Sequence, residues 1–399
     1  MPQRLFLKFT LSIIVLIQTT AIANEKSKDL IANINLQQLR ETGYKIDWVN
    51  ISDDKILRVP TLSNESLYAI DQEDFLNRFE LNSGKWLWSA PIGNQVFNIH
   101  SIIESNSLVY VLTDSIVYAV EKTTGNRPSK RRDESRAPKH QLNLSRLATS
   151  PSISVDSSIV YGSSNGDTVW FNPEIGFTEN RYKTGKSVHV RPTLVTSLMD
   201  GEGRTRKAIV SASTDGNITA VDAHTIRKLW DIKLLGSVEA PVSFITKKGS
   251  DKTEITSVFI GGTDQYIRSV DFNTGLLRWK TLTTAPLIDT PFTLRDAIYQ
   301  RIPGVGLAKF EAFPESILGK QLWLNPEIGG IPITTNRDGH IVSWDQTKRA
   351  LQIIEPKLGG LVSTLNMPTV KTILTDKAEG GSLYVFTNEN AILRFVLRR

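Results

Sequence analysis

Short runs of β-branched and aromatic residues, each divided by a polar turn, recur along the chain. Apolar and polar positions alternate with period two inside these runs, which is the pattern of half-buried antiparallel strands. The turns are centred on Gly, Asn or Asp, as tight strand–turn–strand hairpins require. The pattern predicts eight hairpins, at residues 67–81, 108–121, 159–172, 208–222, 257–271, 297–311, 331–345 and 382–396.

Two consecutive copies of the unit fix its period. Asp222 lies eight residues before Trp230, and Asp271 lies eight residues before Trp279, so the repeat distance is 49 residues. Tandem units of about 40 to 50 residues built from short strands are typical of β-propeller blades, each a four-stranded antiparallel sheet. A proline also precedes many of the hairpins. Because proline can begin a strand but cannot donate within a ladder, it predicts the start of each innermost strand.

A Gly-x-x-x-Trp element marks the predicted outermost strands. It occurs as Gly84 with Trp88, Gly275 with Trp279, and Gly319 with Trp323. Trp230 lacks the glycine, and Trp48 stands where the outer tryptophan of a preceding blade belongs. The glycine is expected to close the turn between the third and fourth strands, and the tryptophan to cover the adjacent blade.

An acidic residue lies eight positions before four of these tryptophans. The four are Glu80, Asp222, Asp271 and Glu315. We expect each to accept backbone N–H bonds within the turn that follows it.

These markers together resemble the pyrroloquinoline-quinone-type β-propeller repeat, whose blades carry Asp-x-x-Thr-Gly-x-x-x-Trp. The best match is DFNTGLLRW at 271–279, and LNSGKWLW at 81–88 is the second. The resemblance covers essentially residues 34–399 and implies an all-β propeller of four-stranded antiparallel blades. Blades 2, 3 and 7 depart from the motif, so less regular packing is expected there.

Ring closure is predicted from the two ends of the chain. The last hairpin leaves no room for a fourth strand, and the segment 44–51 has strand character. We expect this segment to complete the eighth blade beside 382–396, which removes exposed sheet edges. Blade 7 looks short, because only 30 residues separate Trp323 from Ile353. Eight blades are therefore favoured, with seven as the alternative.

Residues 1–23 read as a secretory signal. Arg4 and Lys8 precede an apolar run from Phe9 to Ile17, and the stretch ends in Ala-Ile-Ala. This layout predicts export to the periplasm or cell envelope. An uncleaved N-terminal anchor is the alternative. Residues 24–43 then form an arm or short helix, and 44–399 a single propeller domain.

Composition adds two exclusions. The chain has no Cys, which excludes a disulfide framework and anchoring through a lipid-modified cysteine. The content of 40% hydrophobic and 22% charged residues is that of an ordinary globular protein. The formal net charge of +6 is modest, and no nucleic-acid partner is expected for an exported chain. We expect a monomer.

One segment, 127–140, is unusually basic. Its cationic residues are Arg127, Lys130, Arg131, Arg132, Arg136 and Lys139. They predict an electrostatic contact with an anionic surface or partner, and a solvated loop is the alternative. Three insertions, at 197–208, 246–254 and 375–381, fall between the first and second strands of their blades. Propeller topology should bring them to a single face, which is the candidate interaction surface.

Catalytic motifs are missing from the sequence. The five His are scattered, no Gly-x-Ser-x-Gly element occurs, and no catalytic, metal-binding or cofactor-binding residue is predicted. Quinone-dependent dehydrogenases share the repeat, and Trp170 and Trp344, predicted on third strands, could face the channel. We expect them to pack instead.

The resemblance extends to short, non-catalytic members of the repeat family that serve as scaffolds in outer-membrane protein assembly. It implies a protein-binding scaffold that acts without a cofactor on a periplasmic or envelope protein. A cell-surface propeller that binds carbohydrate or another ligand is the alternative. A quinone-dependent dehydrogenase is the less favoured third possibility.

Overall fold

The computed structural model describes residues 34–51, 57–93, 98–129, 139–198, 205–248 and 254–398. Within these ranges, the chain forms one short helix and eight four-stranded antiparallel sheets. The sheets are the blades of an eight-bladed propeller, which confirms the predicted fold class. No helix in the described part is long and apolar enough to cross a membrane. The predicted signal at 1–23 lies outside the described residues.

The chain enters the ring through α1 (Leu36–Glu41) and β1 (Tyr44–Ile51). Blade 1 follows, with β2 (Arg58–Leu62), β3 (Ser66–Ile70), β4 (Phe75–Glu80) and β5 (Trp86–Pro91). Blade 2 contains β6 (Ile99–Glu104), β7 (Leu108–Thr113), β8 (Ile116–Glu121) and β9 (Gln141–Asn143). Blade 3 contains β10 (Ile153–Val155), β11 (Ser158–Gly162), β12 (Asp167–Asn172) and β13 (Phe177–Lys183). Blade 4 contains β14 (Thr193–Leu198), β15 (Thr205–Ala212), β16 (Asn217–Asp222) and β17 (Lys228–Lys233).

The second half of the ring repeats the plan. Blade 5 contains β18 (Ser243–Lys248), β19 (Glu254–Gly261), β20 (Tyr266–Asp271) and β21 (Leu277–Leu282). Blade 6 contains β22 (Phe292–Leu294), β23 (Ala297–Ile302), β24 (Gly306–Glu311) and β25 (Gln321–Asn325). Blade 7 contains β26 (Ile331–Thr335), β27 (Ile341–Asp345), β28 (Ala350–Ile354) and β29 (Leu361–Asn366). Blade 8 contains β30 (Val370–Thr375), β31 (Leu383–Thr387), β32 (Ala391–Leu397) and, outermost, β1.

Burial differs between the middle and the outer strands of a blade. Middle strands such as β3 and β11 are buried along their whole length, because neighbouring blades cover both of their faces. Outer strands such as β21 alternate, with Trp279 only 1% exposed while Leu277 is 50% exposed. A continuous apolar run therefore marks a middle strand, and an alternating run with one tryptophan marks an outer strand.

The antiparallel order of the strands gives the ring two distinct faces. Turns between first and second strands and turns between third and fourth strands lie on one face, called here the 1–2 face. Turns between second and third strands and the connections between blades lie on the opposite face, the 2–3 face. All three predicted insertions join first and second strands and so belong to the 1–2 face. Parts of two of them, 199–204 and 249–253, lie outside the described residues.

Ring closure by the N-terminal strand is confirmed. β1 pairs with β32 from Tyr44 opposite Leu397 to Ile51 opposite Ala391. Tyr44 is fully buried. Its hydroxyl donates to the carbonyl of Gly381 at 3.0 Å, which ties β1 to the turn after β30. The last strand and the first thus form one sheet, and the outer edge of the last hairpin is covered.

Blade 7 corrects the predicted strand order. The hairpin predicted at 331–345 holds the first and second strands, β26 and β27, rather than the second and third. Trp344 therefore lies on a second strand, where it is 7% exposed and packs in the core shared with blade 8. The prediction failed because the polar turn at 336–340 has the composition of a turn between middle strands. The blade continues to Asn366, so it is complete.

Candidate functional site

The outer tryptophan of one blade lies beneath a glycine of the next blade. These Trp–Gly contacts join Trp48 with Gly84, Trp88 with Gly125, Trp230 with Gly275, Trp279 with Gly319, and Trp323 with Gly359. All five glycines have φ between +68° and +77°, and a Cβ on Gly275 would come within 2.7 Å of the Trp230 ring. Both the backbone conformation and the space require glycine at these turns.

The structure shows a partner that the Gly-x-x-x-Trp spacing does not reveal. Each glycine contacts the tryptophan of the preceding blade, not the one four residues later in its own blade. The buried indole N–H of Trp230 donates to the Phe272 carbonyl at 2.7 Å, and that of Trp279 donates to the Ala312 carbonyl at 3.0 Å. All five tryptophans tie two blades together by apolar contact, and Trp88, Trp230, Trp279 and Trp323 also by a hydrogen bond.

Acidic residues at the ends of third strands organise the turns to the fourth strands, including the turn of Asp271 that holds Gly275. Asp271 Oδ1 accepts the backbone N–H groups of Asn273 and Thr274 at 3.0 and 2.9 Å. Asp222 does the same for His224 and Thr225, at 3.1 and 2.8 Å. Burial raises the pKa of Asp222, but the hydrogen bonds from Thr225 and His224 outweigh burial and hold that pKa below its usual range.

Blade 6 departs from the predicted arrangement. Its third strand ends at Glu311, which pairs with Lys320 at 3.0 Å, and the expected acceptor Glu315 lies inside the turn. The reason is length, because nine residues (312–320) link β24 to β25, whereas five (272–276) link β20 to β21. The carbonyl of Leu318 in this longer turn accepts the Thr281 hydroxyl of blade 5 at 2.7 Å.

The two junctions around blade 3 lack the Trp–Gly contact. Between blades 2 and 3, a Cβ on Gly176 would meet only Leu142, at 3.0 Å, because the outer strand β9 has three residues and no tryptophan. Between blades 3 and 4, Ile226 occupies the glycine position with φ +55°. Less regular packing is expected at blades 2, 3 and 7, and the outer strands of all three, β9, β13 and β29, contain no tryptophan.

A polar cleft of about 580 Å³ opens on the 1–2 face of blades 1, 2 and 3. Half of its sixteen lining residues are Ser or Asn, contributed by the turns between the first and second strands of all three blades. Among the described residues, the side chains of Asn64, Asn106, Ser107 and Ser154 in this lining have no hydrogen-bond partner. Its volume falls in the range of roughly 300 to 1,000 Å³ that ligand pockets occupy.

The wall of the cleft is held by an internal ion pair. Glu104 accepts from Lys122 Nζ at 2.6 Å and from the Tyr68 hydroxyl at 2.7 Å, and its side chain is 9% exposed. Burial raises the Glu104 pKa, but the bonds from Lys122 and Tyr68 outweigh burial and leave it below the usual range. The charges of this pair satisfy each other, so the wall is rigid and nearly neutral.

The blade 3 side of the cleft carries more exposed groups. Asp156, in a tight turn with φ +50°, faces His224 of blade 4 at 3.1 Å. Glu174 is exposed, and no described residue pairs with its carboxylate. The same turn exposes Ile175 and Phe177, at 53% and 56%. An apolar pair therefore stands beside the polar cleft.

The two ends of the basic segment belong to the connection between the third and fourth strands of blade 2. Arg127 and Lys139 are exposed at its two ends, on the connection between β8 and β9. Lys130, Arg131, Arg132 and Arg136 lie outside the described residues. Arg127 and Lys139 therefore lie on the 1–2 face of blade 2, and the electrostatic contact stays a prediction.

Sequence reasoning did not find the cleft. The sequence feature that could have indicated the cleft is the repeated Ser and Asn content of three turns, SNES (63–66), SNS (105–107) and DSS (156–158). Such turns are common in any propeller, so only the ring reveals that three of them converge. Among the described residues, no group of three or more His, Asp or Glu side chains could hold a metal ion.

Eight four-stranded blades, closure by an N-terminal strand and Trp–Gly contacts define the class of this protein. It is an eight-bladed β-propeller of four-stranded antiparallel blades, which is the fold that the resemblance implies. No protein-family model matches the chain. In sequence, it is similar to the outer membrane protein assembly factor BamB of Moranella endobia (strain PCIT), with 28% identity over 186 residues. That alignment spans 46% of this chain and 41% of the relative.

Solved structures agree on the fold. The crystal structure of BamB from Moraxella catarrhalis matches with a TM-score of 0.64 at 14% identity, covering 89% of this chain and 98% of that one. The quinohemoprotein alcohol dehydrogenase ADHIIG of Pseudomonas putida HK5 matches with a TM-score of 0.56 at 12% identity, covering 89% and 76%. At these identities, the matches show a shared architecture that both a scaffold and an enzyme use.

Proposed function

We propose that this chain is an exported, non-catalytic scaffold that binds a protein partner in the assembly of outer-membrane proteins. One observation carries the proposal: the chain is 28% identical over 186 residues to a protein named as an assembly factor of this kind. The match of its fold to BamB over 98% of that chain supports it. The similar region is less than half of the relative's sequence, and the extension to the whole protein is ours.

The 1–2 face of blades 1 to 3 is our candidate docking region. It combines the polar cleft, the exposed pair Ile175 and Phe177, and the basic segment at 127–140. The centres of protein–protein interfaces are rich in aromatic and Arg side chains, which a face made of polar turns alone would lack. This combination favours a protein partner, and an anionic patch on that partner would complement the basic segment.

The proposal can be tested by affinity capture from crosslinked cell envelopes. Tagged protein would be expressed in the source bacterium and its crosslinked neighbours identified by mass spectrometry, with a variant lacking residues 127–140 in parallel. We expect components of the outer-membrane assembly machinery with the complete chain, and reduced recovery with the deletion. As a matched control, a variant with Glu389→Gln on the 2–3 face should recover them normally.

Two results would contradict the proposal. If the complete chain recovers no assembly component while its signal sequence directs it to the envelope, the scaffold function is wrong. If the protein fractionates in the cytoplasm, the export part is wrong. Recovery of glycan in place of protein would favour the alternative of a carbohydrate-binding propeller.

A further inference from the structure

The polar cleft contains charged groups that are already paired and neutral polar side chains that have no hydrogen-bond partner among the described residues. Its ionised pair, Glu104 and Lys122, is satisfied internally. Asp156 is flanked by His224 at 3.1 Å and by Lys207 at 4.0 Å. The cleft therefore does not demand a highly charged ligand. Its unused hydrogen-bonding capacity belongs to short neutral side chains.

Those unused groups can both donate and accept. Asn64 comes from blade 1, Asn106 and Ser107 come from blade 2, and Ser154 comes from blade 3. An amide or hydroxyl side chain offers donor and acceptor together, as does each peptide group of an extended main chain. Because three blades contribute, the complementary ligand is a chain that crosses the cleft and not a single small group.

The residues at the rim of the cleft favour a polypeptide over a glycan as its ligand. Ile175 and Phe177 are more than half exposed on the turn that also supplies Pro173 and Glu174 to the lining. A polypeptide presents apolar side chains beside a polar main chain, which matches an apolar pair beside a polar cleft. The lining tyrosine Tyr110 is only 4% exposed, so it offers little ring surface to a sugar.

We propose that the cleft binds a short extended polypeptide segment of a partner. Its main chain bonds to Asn64, Asn106, Ser107 and Ser154, and an apolar side chain packs on Ile175 and Phe177. The Glu174 carboxylate, with which no described residue pairs, selects a neighbouring Lys or Arg in that segment. This inference rests on the proposed protein-binding function and assigns the chemistry of the segment that the site takes.

Peptide arrays test the inference with purified protein and without any envelope component. The probes are immobilised decapeptides in which Leu, Arg, Asp or Ser is varied at each position, printed beside maltooligosaccharides and chitooligosaccharides. We expect binding to peptides that combine Leu with Arg. The double variant N64A/N106A should lose about tenfold in affinity for these peptides, since two hydrogen-bonding side chains are removed.

Two single variants separate the parts of the site. Phe177→Ala should remove the preference for Leu, whereas Leu358→Ala, an equally apolar and 85% exposed control on blade 7, should not. Glu174→Gln should remove the preference for Arg over Ser, by about threefold, and Glu389→Gln on the 2–3 face should leave it intact. Circular dichroism of each variant confirms that the propeller is folded.

Each outcome is decisive for this inference. Binding to oligosaccharides but not to peptides would overturn it, as would peptide binding that N64A/N106A leaves unchanged. If the capture experiment succeeds while no peptide binds, the scaffold function stands and the peptide site is wrong. If peptides bind while capture recovers no assembly component, the site stands and its cellular role is a different one.

Discussion

Two groups of blade junctions in this ring are built differently. From blade 4 to blade 7, each outer tryptophan lies under a positive-φ glycine, and its N–H bonds to the neighbouring blade. On both sides of blade 3, Leu142 and Ile226 occupy the corresponding places and no tryptophan is present. The cleft opens beside these looser junctions. The cleft thus spans one regular junction, where Trp88 contacts Gly125, and one looser junction, where Leu142 takes the place of a tryptophan.

The largest effect should come from removing a tryptophan in the regular arc. Trp279 is 1% exposed and stacks near Phe310 of blade 6, so Trp279→Ala should lower the free energy of unfolding by roughly 3 to 5 kcal/mol. Urea unfolding followed by circular dichroism measures this change. Trp86→Ala, at a 52% exposed position on blade 1, should cost far less. Equal costs would refute the interblade role.

The second-largest loss of stability should come from replacing a glycine that contacts the tryptophan of the preceding blade. Gly275→Ala places a Cβ against Trp230 and also strains a backbone at φ +71°, so we expect a loss of about 2 kcal/mol or more. Gly339→Ala is a matched control, because its φ is +78° but nothing lies within 4 Å of the added Cβ. It should lose only about 1 kcal/mol, from the backbone alone. Chemical denaturation of both variants isolates the tryptophan contact.

A pH-dependent effect should come from the ion pair in the wall of the cleft, at the junction of blades 1 and 2. The folded-state pKa of Glu104 is lowered, so its contribution is present above the unfolded pKa of roughly 4.3 and is lost as pH falls through the folded value. Glu104→Gln should cost about 1 kcal/mol at pH 7 and nothing well below pH 4. Unfolding midpoints at several pH values measure this. A penalty that does not change with pH would show that the charge is unimportant.

The smallest effect belongs to a hydrogen bond at the blade edge. Thr281→Val removes the bond to the Leu318 carbonyl while keeping the side-chain shape, and should cost about 0.5 kcal/mol because the site is near solvent. Unfolding in urea again provides the measurement. Thr293→Val, at a half-buried position in the inner strand β22, serves as the reference. A loss above about 2 kcal/mol would mean that this edge contact dominates the junction.

The sequence was sufficient for the architecture because its markers are local. Period-two alternation, prolines before inner strands and the Gly-x-x-x-Trp spacing all report backbone geometry within one blade. The errors occur where one turn resembles another: the turn at 336–340 joins first and second strands, and Glu315, expected to accept backbone N–H bonds as Asp271 does, lies inside a longer turn. Both positions are resolved only by pairing partners, which spacing does not encode.

The candidate site was less predictable than the fold. Its polar groups come from positions up to 90 residues apart, from Asn64 to Ser154, and none is unusual in its local sequence. The basic segment could be recognised because its composition is extreme, whereas the cleft consists of ordinary Ser and Asn residues. Only convergence in three dimensions gives them a common role. How the partner fits is therefore a question for the binding experiments.

The sheet shared by β1 and β32 has a consequence for how the ring forms. The Arg394 guanidinium donates to the Asp47 carboxylate at 3.1 Å. The two residues are 347 positions apart, so this contact can form only after nearly the whole chain has been synthesised. Closing so long a loop carries an entropic cost that local hairpins avoid. A chain that is synthesised from its N-terminus would therefore first form an open arc of blades. Its two ends would then meet in a final step, and until that step one blade lacks its outer strand.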